Sequence, residues 1–270
     1  MARENHIDGN PNNDTLYHIK EAFGQAFGNS IMPFESITCL KFFRLVNDKG
    51  ESILNYIIDD LSHHRITLSN PNGFNDITDH LLFTYIHCYE DEYLGKDKKW
   101  KELLLSFKDS FRIGCFCRDE DGEPSRVTNS LMWGHYTKNH TGICIKYRIH
   151  KRIIEKARTD DLFFVFNKVN YQKTALTLDN LSLFDALFTK AKLWEYENEY
   201  RLVCFPVSDS IQYFPIENVP IEAVYFGAKI EPENIKKLSA VLSSLGIPTY
   251  QMHFNPNNLQ EVTPSLRTNH

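Results

Sequence analysis

Lys190-Ala-Lys-Leu-Trp-Glu-Tyr-Glu-Asn-Glu-Tyr-Arg-Leu-Val203 is the stretch of this sequence that best indicates both its fold and its chemistry. Glu197, Glu199 and Arg201 alternate with other residues and lead into an apolar run. Because successive side chains of a strand point to opposite faces, this pattern predicts a strand over residues 196–206 with the three charged side chains on one face.

Two neighbouring carboxylates beside cations are compatible with two functions. Two neighbouring carboxylates raise each other's pKa unless Arg201, Lys190 or Lys192 neutralises one of them. Enzymes use separated carboxylate pKa values to divide acid, base and electrostatic roles. The same groups also occur as buried ion networks that only organise a sheet. Both interpretations of Glu197 and Glu199 stay open at this point.

The elements around this stretch predict an α+β fold. The pattern predicts a helix over 180–192, strands over 211–215 and 221–226, a helix over 231–245 and a strand near 248–252. Short turns between late strands favour antiparallel pairing, so we expect a single mixed, largely antiparallel sheet flanked by helices. We assign residues 1–13 to a flexible tail, 14–255 to one α+β domain and 256–270 to a polar C-terminal tail.

Composition narrows the class of protein. The 270 residues are 42% hydrophobic with a net charge of −5, which fits a globular chain with a sizeable core and gives no general support for nucleic-acid binding. No apolar run approaches the roughly 20 residues of a membrane helix, and the N-terminal residues do not resemble a signal peptide, so we expect no membrane partner and a cytoplasmic location. The six cysteines lack the spacing of a zinc site, and we expect no metal.

Residues 129–136 form a second group of candidate site residues. Asn129 or Ser130 is expected to start a helix that carries Trp133, His135 and Tyr136. A histidine beside a carboxylate pair can carry protons near neutral pH. His135 acting with Glu197 or Glu199 therefore defines an alternative function, a hydrolase or nuclease.

Several motifs, in one order, resemble a bacterial family known as domain of unknown function 2971. The resemblance covers roughly residues 38–252, and the family name implies no reaction. The matching motifs are Leu40-Lys-Phe-Phe-Arg44, Arg65-Ile-Thr-Leu-Ser-Asn-Pro-Asn-Gly-Phe-Asn-Asp76, Ser130-Leu-Met-Trp-Gly-His-Tyr136, Asn139-His-Thr-Gly142, Lys190-x-x-x-Trp194-x-x-Glu197-x-Glu199-Tyr-Arg201 and Ala223-Val-Tyr-Phe-Gly227.

A second resemblance is to ADP-ribosyltransferases of the Arg–Ser–Glu type, and it implies NAD as the substrate. Arg44, Thr128-Asn-Ser130 and Glu197-Asn-Glu199 are similar to the three motifs of those enzymes, in the same order. By this resemblance, Arg44 would hold a pyrophosphate oxygen and Ser130 would orient the catalytic glutamate or the ribose. Glu199 would stabilise the oxocarbenium and Glu197 would polarise the acceptor.

The resemblance also implies further binding residues and a cellular role. Trp133 or Tyr136 would stack on the nicotinamide, with Lys190 beside the carboxylates. The acceptor of the ADP-ribose would be a protein or a nucleic acid. The cellular role of the protein would be that of a toxin-like or phage-defence effector. A non-catalytic binding or sensor module is the third interpretation, and nothing in the sequence indicates the oligomeric state.

Overall fold

A central β-sheet organises the molecule. The computed structural model describes residues 32–71, 111–119, 125–159, 162–174, 183–205, 213–214 and 219–267. Within these residues the main sheet has eight strands in the order β12-β11-β10-β4-β1-β3-β8-β5, and every neighbouring pair is antiparallel except β10 and β11. This mixed, mostly antiparallel sheet with helices confirms the predicted α+β class.

The strands are named in chain order. They are β1 (Ser36–Phe43), β2 (Ile66–Thr67), β3 (Arg112–Arg118), β4 (Ile143–His150), β5 (Phe163–Lys168), β6 (Asn170–Gln172), β7 (Thr189–Ala191), β8 (Glu199–Phe205), β9 (Tyr213–Phe214), β10 (Ile221–Phe226), β11 (Thr249–Phe254) and β12 (Val262–Leu266). β2 pairs with β9 and β6 with β7 in two small separate sheets.

The helices are α1 (Leu54–Ser62), α2 (Ser130–Tyr136), α3 (Lys151–Ala157), α4 (Leu183–Phe188) and α5 (Pro232–Ser244), and short 3-10 helices cover Arg126–Thr128 and Lys192–Glu197. The sequence of α5 explains where this helix begins and which of its faces is buried. Pro232 occupies the first turn, where its missing N–H costs nothing, and Leu238 and Leu242 bury one face. The helix provides the crossover that the parallel pair β10–β11 requires.

Hydrophobic clusters cover both faces of the sheet. The larger cluster packs α1, α3 and α5 against one face and includes Ile57, Phe116, Tyr147 and Leu238. A second cluster lies on the opposite face around the fully buried Trp133. α1 is held to the first cluster by residues at helical spacing, because Leu54, Ile57 and Leu61 lie on one side of the helix.

Some elements differ from the sequence prediction. The helix predicted over 180–192 corresponds to α4, Leu183–Phe188, which ends earlier than predicted. The chain then continues directly into β7 and a 3-10 helix. The strand predicted over 196–206 begins only at Glu199. β12 was not predicted: it lies within the segment assigned to a C-terminal tail and pairs with β11 from Val262 to Leu266. The predicted tail at residues 1–13 lies outside the described residues.

Candidate functional site

The sheet opens between β1 and β3. Pairing of these strands stops after Leu40 and Cys117, whereas β1 continues to pair with β4 as far as Phe43. Ser69 takes the place of β1 beside Ile113 of β3. The second half of β1 is therefore separated from β3, and a cleft forms where ladder hydrogen bonds would otherwise close the sheet.

The cleft has a volume of about 670 Å³ and is lined by residues from both faces of the sheet. Tyr56, Ile57 and Phe116 come from the face covered by α1, and Met132 and Tyr136 from the face covered by α2. Six of the residues proposed from the sequence line this single cleft. They are Arg44, His135, Tyr136, Lys190, Glu197 and Glu199.

Glu197 and Glu199 reach the cleft from two different backbone conformations. Glu197 ends the 3-10 helix Lys192–Glu197, Asn198 takes the left-handed conformation with φ +45°, and Glu199 is the first residue of β8. The prediction that Glu197, Glu199 and Arg201 share one strand face is thus wrong for Glu197. The left-handed residue turns the chain and still places Glu197 beside Glu199, and asparagine tolerates this conformation better than most residues.

Lys190 joins the two carboxylates. Its Nζ lies 2.6 Å from Oε2 of Glu197 and 3.1 Å from Oε2 of Glu199. Arg201 holds Glu199 from the other side, with Nε 2.7 Å from Oε1, and also donates to the carbonyl of Leu187. Tyr136 donates its hydroxyl hydrogen to Glu197. Each carboxylate at the floor of the cleft therefore has a cation and fixed hydrogen-bond donors.

These environments move the two pKa values in opposite directions. Burial raises the pKa of Glu197 to about 7, because Lys190 compensates only in part and Glu199 adds like-charge repulsion. Burial also penalises ionised Glu199, but Arg201 and Lys190 outweigh that penalty and hold the pKa of this carboxyl well below its usual range. Near neutral pH these surroundings therefore favour the anionic form of Glu199, and they make Glu197 easier to protonate than an ordinary carboxylate.

Tyr136 acts only as a hydrogen-bond donor in this arrangement. Burial and the adjacent Glu197 raise the pKa of its phenol far above the usual range. The hydroxyl consequently stays protonated and can support the ionised form of Glu197. A hydrogen bond from the Cys115 thiol, a weaker donor, makes a small contribution to lowering the pKa of Glu199.

Arg44 lies at the rim of the same cleft, just beyond the end of β1. Its guanidinium forms two hydrogen bonds with Asp48, whose side chain is 84% exposed. The structure thus brings Arg44 and Glu199 to one cleft, and the guanidinium of Arg44 is already paired with the carboxylate of Asp48.

His135, Ser130 and Trp133 have three different environments. His135 lines the cleft and its ring contacts those of Trp194 and Tyr196. Ser130 follows the helix cap Asn129, and its backbone N–H donates to Gln260 outside the cleft. Trp133 is fully buried, with its indole N–H donating to Val127 and its ring against Phe42. The structure therefore does not place Ser130 or Trp133 in the cleft lining.

Sequence reasoning missed Lys41, Tyr56 and Asp60, which also line the cleft. Lys41 had a visible signal, since it is a lone cation inside the apolar run Cys39-Leu-Lys-Phe-Phe43. Tyr56 and Asp60 lie on α1, and helical spacing alone gave no reason to connect that helix with β8.

Two further features of the described residues concern metal ions and membranes. No group of three or more His, Cys, Asp or Glu side chains has the geometry to hold a metal ion within the part of the chain that the structure describes. None of the helices in those same ranges has the length and apolar character needed to cross a bilayer.

The family comparison gives a match over part of the chain. The model of a family described as "Protein of unknown function (DUF2971)" matches residues 132–202, which confirms the resemblance seen in the sequence for that segment. The matched segment begins next to Trp133 and includes Lys190, Glu197, Glu199 and Arg201, so it contains the floor of the cleft. No curated protein and no solved structure matches the chain.

Proposed function

We propose that the cleft binds NAD as a substrate and cleaves the bond between nicotinamide and ribose, transferring ADP-ribose to a nucleophile. One observation carries the proposal: two carboxylates joined by Lys190 lie side by side in a cleft large enough for a nucleotide. The opposite directions in which their surroundings shift the two pKa values support it. Enzymes that generate a positively charged sugar need a fixed anion and a separate proton acceptor, and Glu199 and Glu197 meet these two requirements.

The bond that breaks joins C1′ of the ribose to the pyridinium nitrogen. Its electron pair leaves with nicotinamide, which becomes neutral, and positive charge develops on the ribose. Glu199 is held as an anion by Arg201 and Lys190, so it stabilises that charge without having to lose a proton first. A preorganised carboxylate of this kind lowers the barrier because it needs no reorganisation during the reaction.

Transfer is completed when an acceptor hydroxyl or amine attacks C1′. The acceptor loses a proton as the new bond forms, and Glu197 takes it up, since a pKa of about 7 suits proton uptake at neutral pH. Lys190 and Tyr136 keep this carboxylate oriented. Water as acceptor would give free ADP-ribose, and a protein or nucleic-acid group would give a modified target.

The decisive experiment measures nicotinamide released from NAD by the purified protein. Glu199→Gln keeps the side-chain size and removes the charge, and we expect it to lower the release rate by about 100-fold or more, as for other groups that stabilise transition-state charge. Glu195→Gln is a matched control, because Glu195 belongs to the neighbouring 3-10 helix and pairs with Lys192 at the surface. Equal rates for the wild type and Glu199→Gln, at equal folded content, would refute the proposal.

His135 supports a second candidate function, a hydrolase or nuclease. It lines the same cleft as Glu197 and Glu199, and an imidazole there can act as a general base towards a phosphodiester. Degradation of nucleic acid that is lost in His135→Gln, with NAD left intact, would favour this function. If neither NAD nor nucleic acid is altered and Glu197→Gln only lowers the melting temperature, the cluster is structural and a binding or sensor module is favoured.

The proposed cellular role follows from the reaction. A protein that consumes NAD or modifies a target in a bacterial cytoplasm would arrest growth, as a toxin-like or phage-defence effector does. Expression of the wild type should then lower cellular NAD or label a target, and expression of Glu199→Gln should do neither.

A further inference from the structure

Lys41 differs from the other charged residues of the cleft because the part of the chain that the structure describes provides no ion-pair partner for it. The carboxylates that line the cleft are each paired: Asp48 with Arg44, Asp60 with Arg65, and Glu197 and Glu199 with Lys190. Among the residues that the structure describes, no carboxylate lies within ion-pair distance of the Lys41 ammonium.

The Lys41 ammonium lies in the opening between the separated strands. It extends from β1 towards β3 and donates to the backbone carbonyl of Cys115 at 3.4 Å, a long hydrogen bond. Its remaining environment is aromatic, with Nζ 5.5 Å from the ring centre of Phe43 and 5.2 Å from that of Phe116. An ammonium has three hydrogens to donate, and a single carbonyl uses one of them.

An amine in such surroundings is energetically unfavourable without a ligand. Burial lowers the pKa of Lys41, and the negative charges of Asp60 and Glu199, which act from beyond ion-pair distance, offset this effect only in part. Aromatic faces compensate in part. An anion that entered the cleft would supply the missing charge and the missing acceptors, and the resulting charge-assisted hydrogen bonds are among the stronger ones in proteins.

The surroundings of Lys41 fit the phosphate of a nucleotide better than a small free anion. Tyr56 of α1 lines the same cleft and is 75% exposed, so its ring is available to a planar base. A base of any sequence can stack on such an aromatic ring, because every base has a π-face. The floor carboxylates are on the opposite face, since Glu199 is in register with Cys117 and Glu197 accepts a hydrogen bond from Tyr136, whereas Lys41 packs on Phe43 and Phe116.

We infer that Lys41 is the phosphate-binding residue of the cleft, where it holds the pyrophosphate of a dinucleotide between a base near Tyr56 and a ribose near Glu199. Lys41 would thus fulfil the role that the sequence resemblance gave to Arg44. The identification of the ligand as a dinucleotide rests on the proposed function, whereas the recognition of a phosphate by Lys41 does not.

The test measures binding of ADP-ribose, ADP and inorganic pyrophosphate to the full-length protein by calorimetry, together with melting temperatures without ligand. Lys41→Met should weaken ADP-ribose binding by at least about 10-fold, which corresponds to 1.4 kcal/mol. Lys41→Arg should retain part of the affinity. Lys236→Met, at an exposed position of α5, is the matched control and should bind as the wild type does.

The unliganded melting temperature separates binding from a structural role. Because Lys41→Met removes an unpaired ammonium from a partly buried site, the unliganded variant should melt at the wild-type temperature or above it. A lower melting temperature with loss of binding would assign Lys41 a structural role and overturn the inference. Unchanged ADP-ribose affinity in Lys41→Met would also overturn it, as would a wild type that binds none of the three ligands.

The ligand series identifies which part of the ligand is recognised. If ADP-ribose and ADP bind far more tightly than pyrophosphate, the cleft recognises a nucleotide. If all three ligands bind equally, the cleft recognises only their phosphates. If Lys41 is required for ADP-ribose binding but no nicotinamide is released from NAD, the proposed function fails and this inference stands. If nicotinamide is released with an unchanged KM in Lys41→Met, the inference fails and the proposed function stands.

Discussion

The floor and the rim of the cleft contain the same kind of ion pair in very different surroundings. At the floor, Arg201 is fully buried and Glu199 is 3% exposed, while at the rim Arg44 and Asp48 remain in contact with water. Water screens the rim pair, so its contribution to stability is small. At the floor each charge has lost its hydration, so the removal of one partner leaves the other buried and uncompensated.

This difference shows which charges of the cleft are suited to chemistry. Both Asp48 and Glu199 have a lowered pKa because of an adjacent arginine, but only Glu199 is also shielded from solvent. A shielded anion acts strongly on a charge that develops nearby, since low-dielectric surroundings screen it little. The floor cluster therefore suits the proposed reaction better than the rim pair does.

The largest expected effect is that of Arg201→Met. This change leaves Glu199 buried beside a single remaining cation, and we expect a loss of about 3–5 kcal/mol in the free energy of unfolding, as for other broken buried pairs. Denaturant unfolding measures it, and Arg44→Met at the rim is the matched comparison. Equal losses in the two variants would contradict the contrast between floor and rim.

Titration of Glu197 should make stability depend on pH. Its folded pKa of about 7 is higher than the unfolded value of about 4.3, so the folded protein binds more protons between these values. The stability that this difference provides is complete below the unfolded pKa and is lost as the pH rises through about 7. Glu199, with a lowered pKa, contributes in the opposite sense, and its contribution is lost as the pH falls below the unfolded value.

The measurement is the melting temperature of the wild type and of Glu197→Gln between about pH 5 and pH 8. The wild-type value should decline across this range relative to that of the variant, because glutamine cannot titrate. Parallel curves for the two proteins would show that Glu197 does not titrate in this window.

Tyr136→Phe should have an intermediate effect. It removes the hydroxyl that donates to Glu197, and hydrogen bonds to charged groups contribute about 1.5–3 kcal/mol. The loss should also raise the pKa of Glu197 further, so the pH dependence of nicotinamide release should move to higher pH. Both the melting temperature and the pH profile are measured.

Tyr196→Phe provides the matched control for this change. The Tyr196 hydroxyl is buried and has no hydrogen-bond partner among the residues that the structure describes. Its removal should leave stability unchanged or slightly higher, because no bond is lost. A loss in Tyr196→Phe as large as that in Tyr136→Phe would show that the hydrogen bond to Glu197 is not the cause.

The smallest effect is expected for Asp48→Asn at the rim. The substitution removes an exposed charge whose pairing with Arg44 is screened by water, so the melting temperature should not change measurably. Thermal unfolding at low and high salt tests this directly. A decrease comparable to that of Tyr136→Phe would mean that the rim pair is coupled to the floor.

The site was predictable from sequence only where the signal is local. The motif from Lys190 to Arg201 identified the floor residues, because a dense cluster of charges before an apolar strand is visible in a few residues. The same local logic assigned Glu197 to a strand, and a single left-handed residue, Asn198, makes that assignment wrong. Trp133 has the right spacing to reach the cleft together with Tyr136, but its indole packs into the core instead.

The sequence by itself determined the α+β class, the positions of β10 and α5 and the presence of an acidic cluster beside cations, because hydrophobic periodicity and charge spacing act over short stretches. The tertiary structure alone decided that β1 separates from β3 after Leu40, which opens the cleft and exposes Lys41 to it. Strand pairing joins residues that are far apart in the chain. The alternation of apolar and polar residues within either strand therefore gives no information on where the pairing stops.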